Sequence, residues 1–338
     1  MEVMNKLLLF FLCFLFSSSF AANSESLTPA CTNRGIDLSA RLEQSDPAMW
    51  KLLQAQAKAI PNNRGLVWKI EKDGIKPSFL FGTMHFSDPR VLKLPDAAES
   101  AYRSAKTVVI ETTDALDPEV LLRIQFEQPE LMLFTDGSTL KSHLPVERQA
   151  ELEQKLAERG IVLAAFARMK PWILSTLLTL PECEFQRMNG GEHGLDSVLA
   201  LRAQAEGRHV DGLETAAEQL QGMNRMPLEF HIHNLVAMVD YGDQIDDAME
   251  TMTALYLRGE IGMITPTLRT IIPDNLSEAD FERFQKLLID DRNHIMADRA
   301  IPLLDQGDVF MAVGALHLPG KEGLIELLRA RGWRVTPL

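Results

Sequence analysis

The sequence predicts an α/β protein with a mixed, largely parallel central sheet flanked by helices. Apolar, β-branched runs alternate with helical segments, as in proteins built on parallel sheets. Two of these runs, Pro77 to Gly82 and Asp308 to Gly314, each end in a glycine that is followed three residues later by a histidine, His85 and His317. The repeated Gly-x-x-His pattern indicates two halves of one site at the ends of two buried strands.

Composition limits the classes of function. The chain has 338 residues, of which 46% are hydrophobic and 24% charged, which is enough for one large α/β domain or two modest ones. The net charge of −13 and the scattered basic residues argue against nucleic acid as a partner. The sequence contains no Gly-x-Ser-x-Gly, His-Glu-x-x-His or phosphate-binding loop, which disfavours the usual serine hydrolases, zincins and NTPases.

The first 21 residues have the pattern of a secretory signal peptide. Lys6 precedes an apolar run of ten residues, Leu7 to Phe16, and a small-x-small pattern ends at Ala21. We expect cleavage after Ala21, with Ala22 as the alternative site, and a retained signal anchor is the alternative reading. No later segment is apolar enough to span a membrane, so we expect a soluble protein in the periplasm or outside the cell.

Two cysteines remain after the predicted cleavage, because Cys13 leaves with the signal segment. Cys31 and Cys183 would face an oxidising compartment, so we expect a structural disulfide between them. Two free buried thiols are the alternative.

The mature chain is predicted to begin with a helical arm, residues 22–63, followed by an α/β domain, residues 64–338. Within the arm, Ala48 to Ala59 has helical spacing. The domain opens with a β-hairpin made of Gly65 to Ile70 and Pro77 to Phe81. This hairpin leads directly into the first Gly-x-x-His.

A strand-helix-strand unit follows the hairpin. The helix covers Asp96 to Ser104, and the next strand runs from Thr107 to Glu111. Since the two strands of such a unit are parallel, His85 and Glu111 are expected at the same edge of the sheet. A helical insertion is predicted from about Pro118 to Leu180.

The remaining elements bring a second carboxylate and the second histidine. A glycine-rich turn, Gly190 to Asp196, leads to a helix, and a short strand, Arg208 to Glu214, follows it. The rest of the chain is predicted as helices Ala216 to Gln221, Pro227 to Gly259 and Glu278 to Leu304, the second Gly-x-x-His strand, a helix within Gly320 to Ala330, and a closing strand at Trp333.

Four predicted strands therefore end in a residue that can bind a metal: His85, Glu111, Glu214 and His317. Ligands of open α/β sheets bind at the carboxyl ends of the strands. Two imidazoles and a carboxylate suit Zn, Mn, Fe or Co, and the other carboxylate would act as general base. In the alternative reading the histidines are structural and the glutamates cap helices.

Three further polar residues have two readings each. Asp196 is either a helix N-cap or a support for a neighbouring ligand. Arg292 and Asn293 either belong to a solvated helix face or contact the substrate or its oxyanion. His231 and His233 lie two positions apart on a predicted helix and face different ways, which argues against a joint ligand role.

The ordered set of short motifs resembles the TraB/GumN family over about residues 64 to 338. The motifs are Phe81-Gly-Thr-Met-His85, Val109-Ile-Glu111, Gly194-Leu-Asp196, Gly212-Leu-Glu-Thr215, Arg292-Asn293 with Met296-Ala297, and Val313-Gly-Ala-Leu-His317-Leu-Pro-Gly320.

This resemblance implies a divergent α/β fold related to the erythromycin esterase and ChaN-like proteins. It also implies metal-dependent proteolysis, the activity of the animal members, which act on secreted signals. By the same resemblance, His85 and His317 are the paired histidines, and Glu111 and Glu214 are their acidic partners.

The resulting hypothesis is an exported metal-dependent hydrolase that cleaves a peptide or a small ester or amide. The cofactor would be a divalent metal, Mn, Co or Zn, and the catalytic candidates are Glu111, Glu214, Arg292 and Asn293. Which glutamate is the ligand and which the base stays open. The alternative is a binding protein without turnover that captures a peptide or haem in the same crevice.

Overall fold

The computed structural model describes residues 31, 34–117, 119–272 and 277–338. The predicted signal segment, residues 1–21, lies outside these residues. The centre of the fold is a six-stranded sheet with the order β4-β3-β5-β2-β1-β6. The strands are β1 Val67–Glu71, β2 Ser78–Thr83, β3 Thr107–Ile110, β4 His209–Gly212, β5 Val309–Gly314 and β6 Arg334–Pro337.

Pairing in the sheet is mixed but mostly parallel, as the sequence predicts. Strands β2, β3, β4 and β5 run parallel, and β1 runs antiparallel to both of its neighbours, β2 and the edge strand β6. The predicted hairpin is present as the β1 to β2 pair. Strand β5 lies between β2 and β3, so the two strands of the predicted strand-helix-strand unit are parallel but not adjacent.

Helices cover the sheet and form a separate layer beside it. In the first half of the chain they are α1 Leu38–Ser45, α2 Pro47–Lys58, α3 Pro89–Leu92, α4 Asp96–Ser104, α5 Val120–Glu127, α6 Leu140–His143, α7 Gln149–Glu158, α8 Pro171–Thr179 and α9 Glu182–Asn189. In the second half they are α10 Leu195–Ala205, α11 Ala216–Asn224, α12 Leu228–Tyr241, α13 Gln244–Leu257, α14 Ile261–Ile271, α15 Glu278–Gln285, α16 Asp291–Leu304 and α17 Leu324–Ala330.

Two long predicted helices are interrupted in the structure. The segment from Pro227 to Gly259 divides into α12 and α13 at Gly242, whose φ of +56° is accessible to glycine at little cost. The segment from Glu278 to Leu304 contains a π-helical turn, Lys286–Asp290, between α15 and α16.

One hydrophobic core surrounds the sheet. All six residues of β5 are buried, and Phe310, the second of them, contacts Tyr102 of α4 edge-on at 5.5 Å between ring centroids. The N-terminal arm joins this core through Trp50, Leu53 and Ala57.

A second core lies within the helical layer. It contains the predicted insertion, with Trp172 of α8 as its largest fully buried side chain, and it also includes residues of α11, α12 and α13. The helical layer is therefore larger than the predicted insertion of Pro118 to Leu180. Phe86, which directly follows the first Gly-x-x-His histidine, packs against both cores.

The predicted disulfide is present. Cys31 and Cys183 are joined across 152 residues, with Cα atoms 5.4 Å apart. The bond ties the start of the arm to α9. Among the helices of the described ranges, none combines the length and apolarity required to cross a bilayer.

Candidate functional site

The structure brings the four predicted strand-end residues together. Strands β2, β3, β4 and β5 are parallel, so their carboxyl ends lie at one edge of the sheet. His85, Glu111, Glu214 and His317 follow these four ends. Phe86, the residue after His85, packs against both cores, so the site lies where the two cores meet. Ligand sites often occur at such junctions.

The two histidines share one carboxylate oxygen. Nε2 of His85 lies 3.7 Å from Oε1 of Glu111, and Nε2 of His317 lies 3.7 Å from the same oxygen. Oε1 also accepts the backbone N–H of Gly314 at 2.6 Å. The paired Gly-x-x-His segments thus converge on Glu111.

The tautomer of His317 is fixed by Asn293. The amide of Asn293 donates through Nδ2 to the carbonyl of Glu322 at 2.8 Å, so its Oδ1 is an acceptor for Nδ1–H of His317 at 2.7 Å. Burial lowers the pKa of His317 to about 3, and repulsion from Arg292 and His85 acts in the same direction. Near neutral pH the imidazole is therefore neutral, with its lone pair on Nε2.

Asn293 is placed to orient His317, and its predicted contact with a substrate or oxyanion stays a prediction. It is fully buried, and both ends of its amide are engaged by His317 and Glu322. This geometry favours a role in orienting His317.

His85 is oriented by a carboxylate. Its Nδ1 lies 2.6 Å from Oδ2 of Asp196, and the other oxygen of Asp196 accepts the hydroxyl of Thr83 at 2.6 Å. Burial opposes charge on the imidazole, but the attraction and hydrogen bond of Asp196 and the attraction of Glu111 raise the pKa of His85 to about 9. Since Gly194 is the N-cap of α10, Asp196 supports His85 and does not cap the helix.

Two glycines allow the backbone to approach the site closely. A β-carbon at Gly194 would stand 2.8 Å from the carbonyl oxygen of His85. At Gly314 it would stand 3.0 Å from both Oε1 of Glu111 and Nε2 of His85. The absent side chain at Gly314 keeps open the space beside Glu111 and His85.

Arg292 bridges the two glutamates. Its Nη2 donates to Oε2 of Glu111 and to Oε2 of Glu214, each at 2.7 Å, and its Nε lies 3.1 Å from both oxygens of Glu214. The predicted alternative of a solvated helix face does not hold, because the side chain is only 17% exposed.

The environment shifts the pKa values of Glu111 and Glu214 in opposite directions. Burial alone would raise the pKa of Glu111, but attraction to His317, Arg292 and His85 lowers it to about 2. Burial raises the pKa of Glu214, and repulsion from Glu111 adds to this, although Arg292 opposes it.

Sequence reasoning did not find the π-helical turn that positions Arg292. Arg292 lies just after Lys286–Asp290, and its Nη1 donates to the carbonyl of Leu288 within that turn at 3.2 Å. Single π-helical turns occur often at functional sites. Helical periodicity alone carries no signal for such a turn.

The donor set fits a divalent cation in chemistry and charge. Three carboxylates, Glu111, Glu214 and Asp196, stand against one guanidinium, Arg292, and the protonated imidazole of His85, which leaves one negative charge. If His85 loses its proton to bind a metal, two negative charges remain to be balanced. Ligands at about 2.1 Å from a tetrahedral metal are about 3.4 Å apart, a few tenths of an ångström less than the observed 3.7 Å. At their present spacing, no three His, Cys, Asp or Glu side chains of the described ranges form a ready metal cluster.

His231 and His233, for which no joint ligand role is predicted, lie in other surroundings. Nε2 of His231 lies 2.9 Å from the carbonyl of Met223 in the helical layer. His233 lines a cleft of about 380 Å³ together with Arg148 and Asp240.

The fold and the site define an α/β protein with paired histidines and paired glutamates at the carboxyl edge of a mostly parallel sheet. Residues 66–337 match the sequence model of the TraB/PrgY/gumN family, and the chain belongs to this family. The predicted resemblance is confirmed. The proposed relation to the ChaN-like and erythromycin esterase folds stays a prediction, since no solved structure matches the chain significantly.

Several curated relatives carry the name metalloprotease. The chain is 25% identical over 319 residues to Metalloprotease TIKI2 of Danio rerio, a match that covers 80% of this chain and 60% of that protein. It is 24% identical to Metalloprotease TIKI1 of Danio rerio, covering 80% and 62%, and 22% identical to a TIKI homolog of Nematostella vectensis, covering 81% and 67%. At the level of the family, these names support a metal-dependent protease.

Proposed function

We propose that this chain is an exported metal-dependent peptidase. The observation that carries the proposal is the convergence of two Nε2 atoms, from His85 and His317, on one oxygen of Glu111. The metalloprotease names of distant relatives support the same reaction class. We therefore favour cleavage of an amide bond over cleavage of an ester bond.

His85, His317 and Glu111 are the proposed ligands. Each imidazole has its Nδ1 beside an oxygen acceptor, an arrangement that directs Nε2 toward a metal in many sites. Glu214 is less suited to ligation, because Arg292 engages both of its oxygens. A divalent ion held there would polarise the scissile carbonyl and lower the pKa of a bound water.

Glu214 and Arg292 are the proposed catalytic pair. The raised pKa of Glu214 brings this carboxyl toward the range of an effective general base. We therefore assign Glu214 the role of accepting the proton of the attacking water. Arg292 is buried beside both glutamates, where its charge would stabilise negative charge that develops on the substrate oxygen.

Export is supported by two features. The N-terminal 21 residues have the charge and apolar pattern of a signal peptide. The disulfide between Cys31 and Cys183 belongs to oxidising compartments such as the periplasm or the extracellular space.

Metal content and peptide cleavage test the proposal together. The wild type, His85→Ala and His317→Ala would be purified without a histidine tag, loaded with Zn²⁺, Mn²⁺ or Co²⁺, dialysed and measured by elemental analysis. His209→Ala is the matched control, because this histidine is on β4, is 70% exposed and pairs with Asp211. We expect near-stoichiometric metal and cleavage of a peptide library in the wild type and the control, and loss of both in the two site variants.

Full metal occupancy in either site variant would disprove the shared site. A wild type that binds no metal would disprove the peptidase mechanism. If the wild type instead carries haem, seen as an intense absorbance band, the binding protein becomes the correct account.

A further inference from the structure

The backbone just beyond His85 is held by a buried ion pair. The N–H of Ser87 donates to Oε1 of Glu184 at 2.6 Å, and Nε of Arg187 lies 3.1 Å from the hydroxyl of Ser87. Arg187 also donates to the other oxygen of Glu184 at 2.8 Å. Ser87 is fully buried, and Glu184 is only 1% exposed.

The segment that Ser87 belongs to has no regular secondary structure. Residues 84–88 lie between the end of β2 and the start of α3, so no sheet ladder or helix fixes their backbone. On one side, Leu195 of α10 donates its N–H to the carbonyl of Phe86 at 3.2 Å. On the other side the hydrogen bonds to α9 just described hold the segment. His85 is therefore positioned between two helices.

The disulfide anchors the second of these helices. Cys183 directly precedes Glu184 in α9, and its partner Cys31 belongs to the arm. The arm in turn is docked on α13, where Asp247 accepts the N–H of Ile36 at 2.8 Å and Thr251 accepts that of Leu38 at 2.9 Å.

We infer that Glu184 is a positioning residue for His85, and that the Cys31–Cys183 bond holds the helix that presents it. The buried carboxylate of Glu184 accepts the buried N–H of Ser87, two residues after His85. The position of α9 therefore fixes the backbone next to the imidazole. The inference rests on the proposed function only in taking His85 as a metal ligand. The link between α9 and the His85 segment is independent of any metal.

The test compares Glu184→Ala, the double variant Cys31→Ser/Cys183→Ser and the control Glu182→Ala. Glu182 lies on the same helix, is 54% exposed, pairs with Arg34 at 3.4 Å and accepts a hydrogen bond from the exposed Gln186 at 3.1 Å. Without metal, amide hydrogen exchange of the Ser87 peptide and the imidazole ¹⁵N signals of His85 would be recorded. We expect faster exchange and shifted signals in the two test variants, and wild-type behaviour in the control.

A titration with Co²⁺ alone, followed by its visible absorption, gives the second measurement. Loss of outer contacts to a metal ligand typically weakens binding 10- to 100-fold, so we expect roughly tenfold weaker Co²⁺ binding in Glu184→Ala and in the double cysteine variant. The conservative Glu184→Gln retains an acceptor for the N–H of Ser87, and we expect it to restore most of the affinity.

The two measurements separate failure of the inference from failure of the proposed function. A wild type without Co²⁺ binding would refute the metal site, but the exchange and imidazole signals would still decide the role of Glu184. Unchanged exchange and imidazole signals in a folded Glu184→Ala protein would overturn the inference.

If Glu184→Ala does not fold, Glu184→Met/Arg187→Met replaces it. Exchange of a buried ion pair for apolar residues of similar volume is often neutral for stability. Wild-type exchange and imidazole signals in this double variant would overturn the inference equally.

Discussion

Gly314 lies so close to His85 that an added β-carbon would stand 3.0 Å from the imidazole Nε2. The backbone at residue 314 has φ −51° and ψ 133°, which alanine adopts without strain. We expect Gly314→Ala to fold but to bind metal at least about tenfold more weakly, since loss of ligand placement has effects of this size. Calorimetric titration with Zn²⁺ and a thermal melt would test this. A variant with wild-type affinity would show that the space beside Gly314 holds no ion.

Replacement of Asp196 by asparagine tests how His85 is oriented. The amide retains the shape of the side chain and an acceptor for Thr83, but it removes the negative charge 2.6 Å from Nδ1 of His85. We expect metal affinity to fall about 10- to 100-fold, measured by competition with a chelator. The matched control is Asp298→Asn, whose carboxylate is 70% exposed and pairs with Arg331. Equal affinities of the two variants would contradict the role of Asp196.

Metal binding is expected to release about one proton at pH 7. In the metal-free protein the pKa of His85 is raised to about 9 and that of His317 is lowered to about 3, so only His85 loses a proton when both bind metal. Affinity should therefore rise with pH up to about pH 9. Calorimetry in two buffers of different ionisation enthalpy measures the proton count, and a count near zero or two would refute this assignment.

The raised pKa of His85 also predicts how the stability of the metal-free protein depends on pH. The folded-state pKa of His85 lies above its ordinary value of 6.5, so the charged imidazole contributes stability fully below pH 6.5. This contribution is lost as the pH rises through 9. Urea unfolding of the metal-free wild type and His85→Gln should converge above pH 9, and a constant difference between them would contradict the assignment.

Arg292→Met leaves two buried carboxylates without their shared cation. Removal of one partner from a buried pair typically costs about 3 to 5 kcal/mol, and we expect a loss of this size in the free energy of unfolding at pH 7. Arg299→Met is the control on the same helix, because Arg299 is 44% exposed where it pairs with Glu218 and also donates to the carbonyl of Leu213, at 2.9 Å. Its ion pair is worth at most about 1 kcal/mol. Similar urea midpoints for the two variants would disprove the structural importance of the Arg292 bridge.

The disulfide is expected to stabilise the whole chain. Closure of a loop of 152 residues contributes about 5 kcal/mol in the chain-entropy model. Cys31→Ser/Cys183→Ser should therefore unfold at a clearly lower urea concentration than the oxidised wild type. The reduced wild type should match the double variant, and a reduced protein as stable as the oxidised one would contradict the estimate.

The sequence predicted the parallel strands and their ends because both follow from local rules. Apolar β-branched runs indicate buried strands, and the glycine before each histidine indicates a close approach. Parallel strands then place His85 and His317 at one edge. The pairing of Cys31 with Cys183 was predictable for a simpler reason, since only two cysteines lie outside the predicted signal segment.

The partners of these residues could not be predicted, because they depend on distances between elements. Asp196 has two readings in the sequence because its contacts with Thr83 and His85 join residues 113 and 111 positions apart. Asn293 adjoins Arg292 in sequence, but a helix directs neighbouring side chains to different faces, so one orients His317 while the other bridges the glutamates. The π-helical turn before Arg292 depends on packing that a single sequence does not display.

The pairing of β2 with β5 also determines when the site can form during synthesis of the chain. Phe79 of β2 pairs with Phe310 of β5. The strand that carries the first Gly-x-x-His therefore has no β5 to pair with until nearly the whole polypeptide has been synthesised. Pairings this distant in sequence make folding slow, because a long loop must close before the contact stabilises anything. A nascent or truncated chain that ends before Val309 carries His85 and Glu111 but lacks the strand that lies between β2 and β3, so the candidate site forms only after β5 has been synthesised.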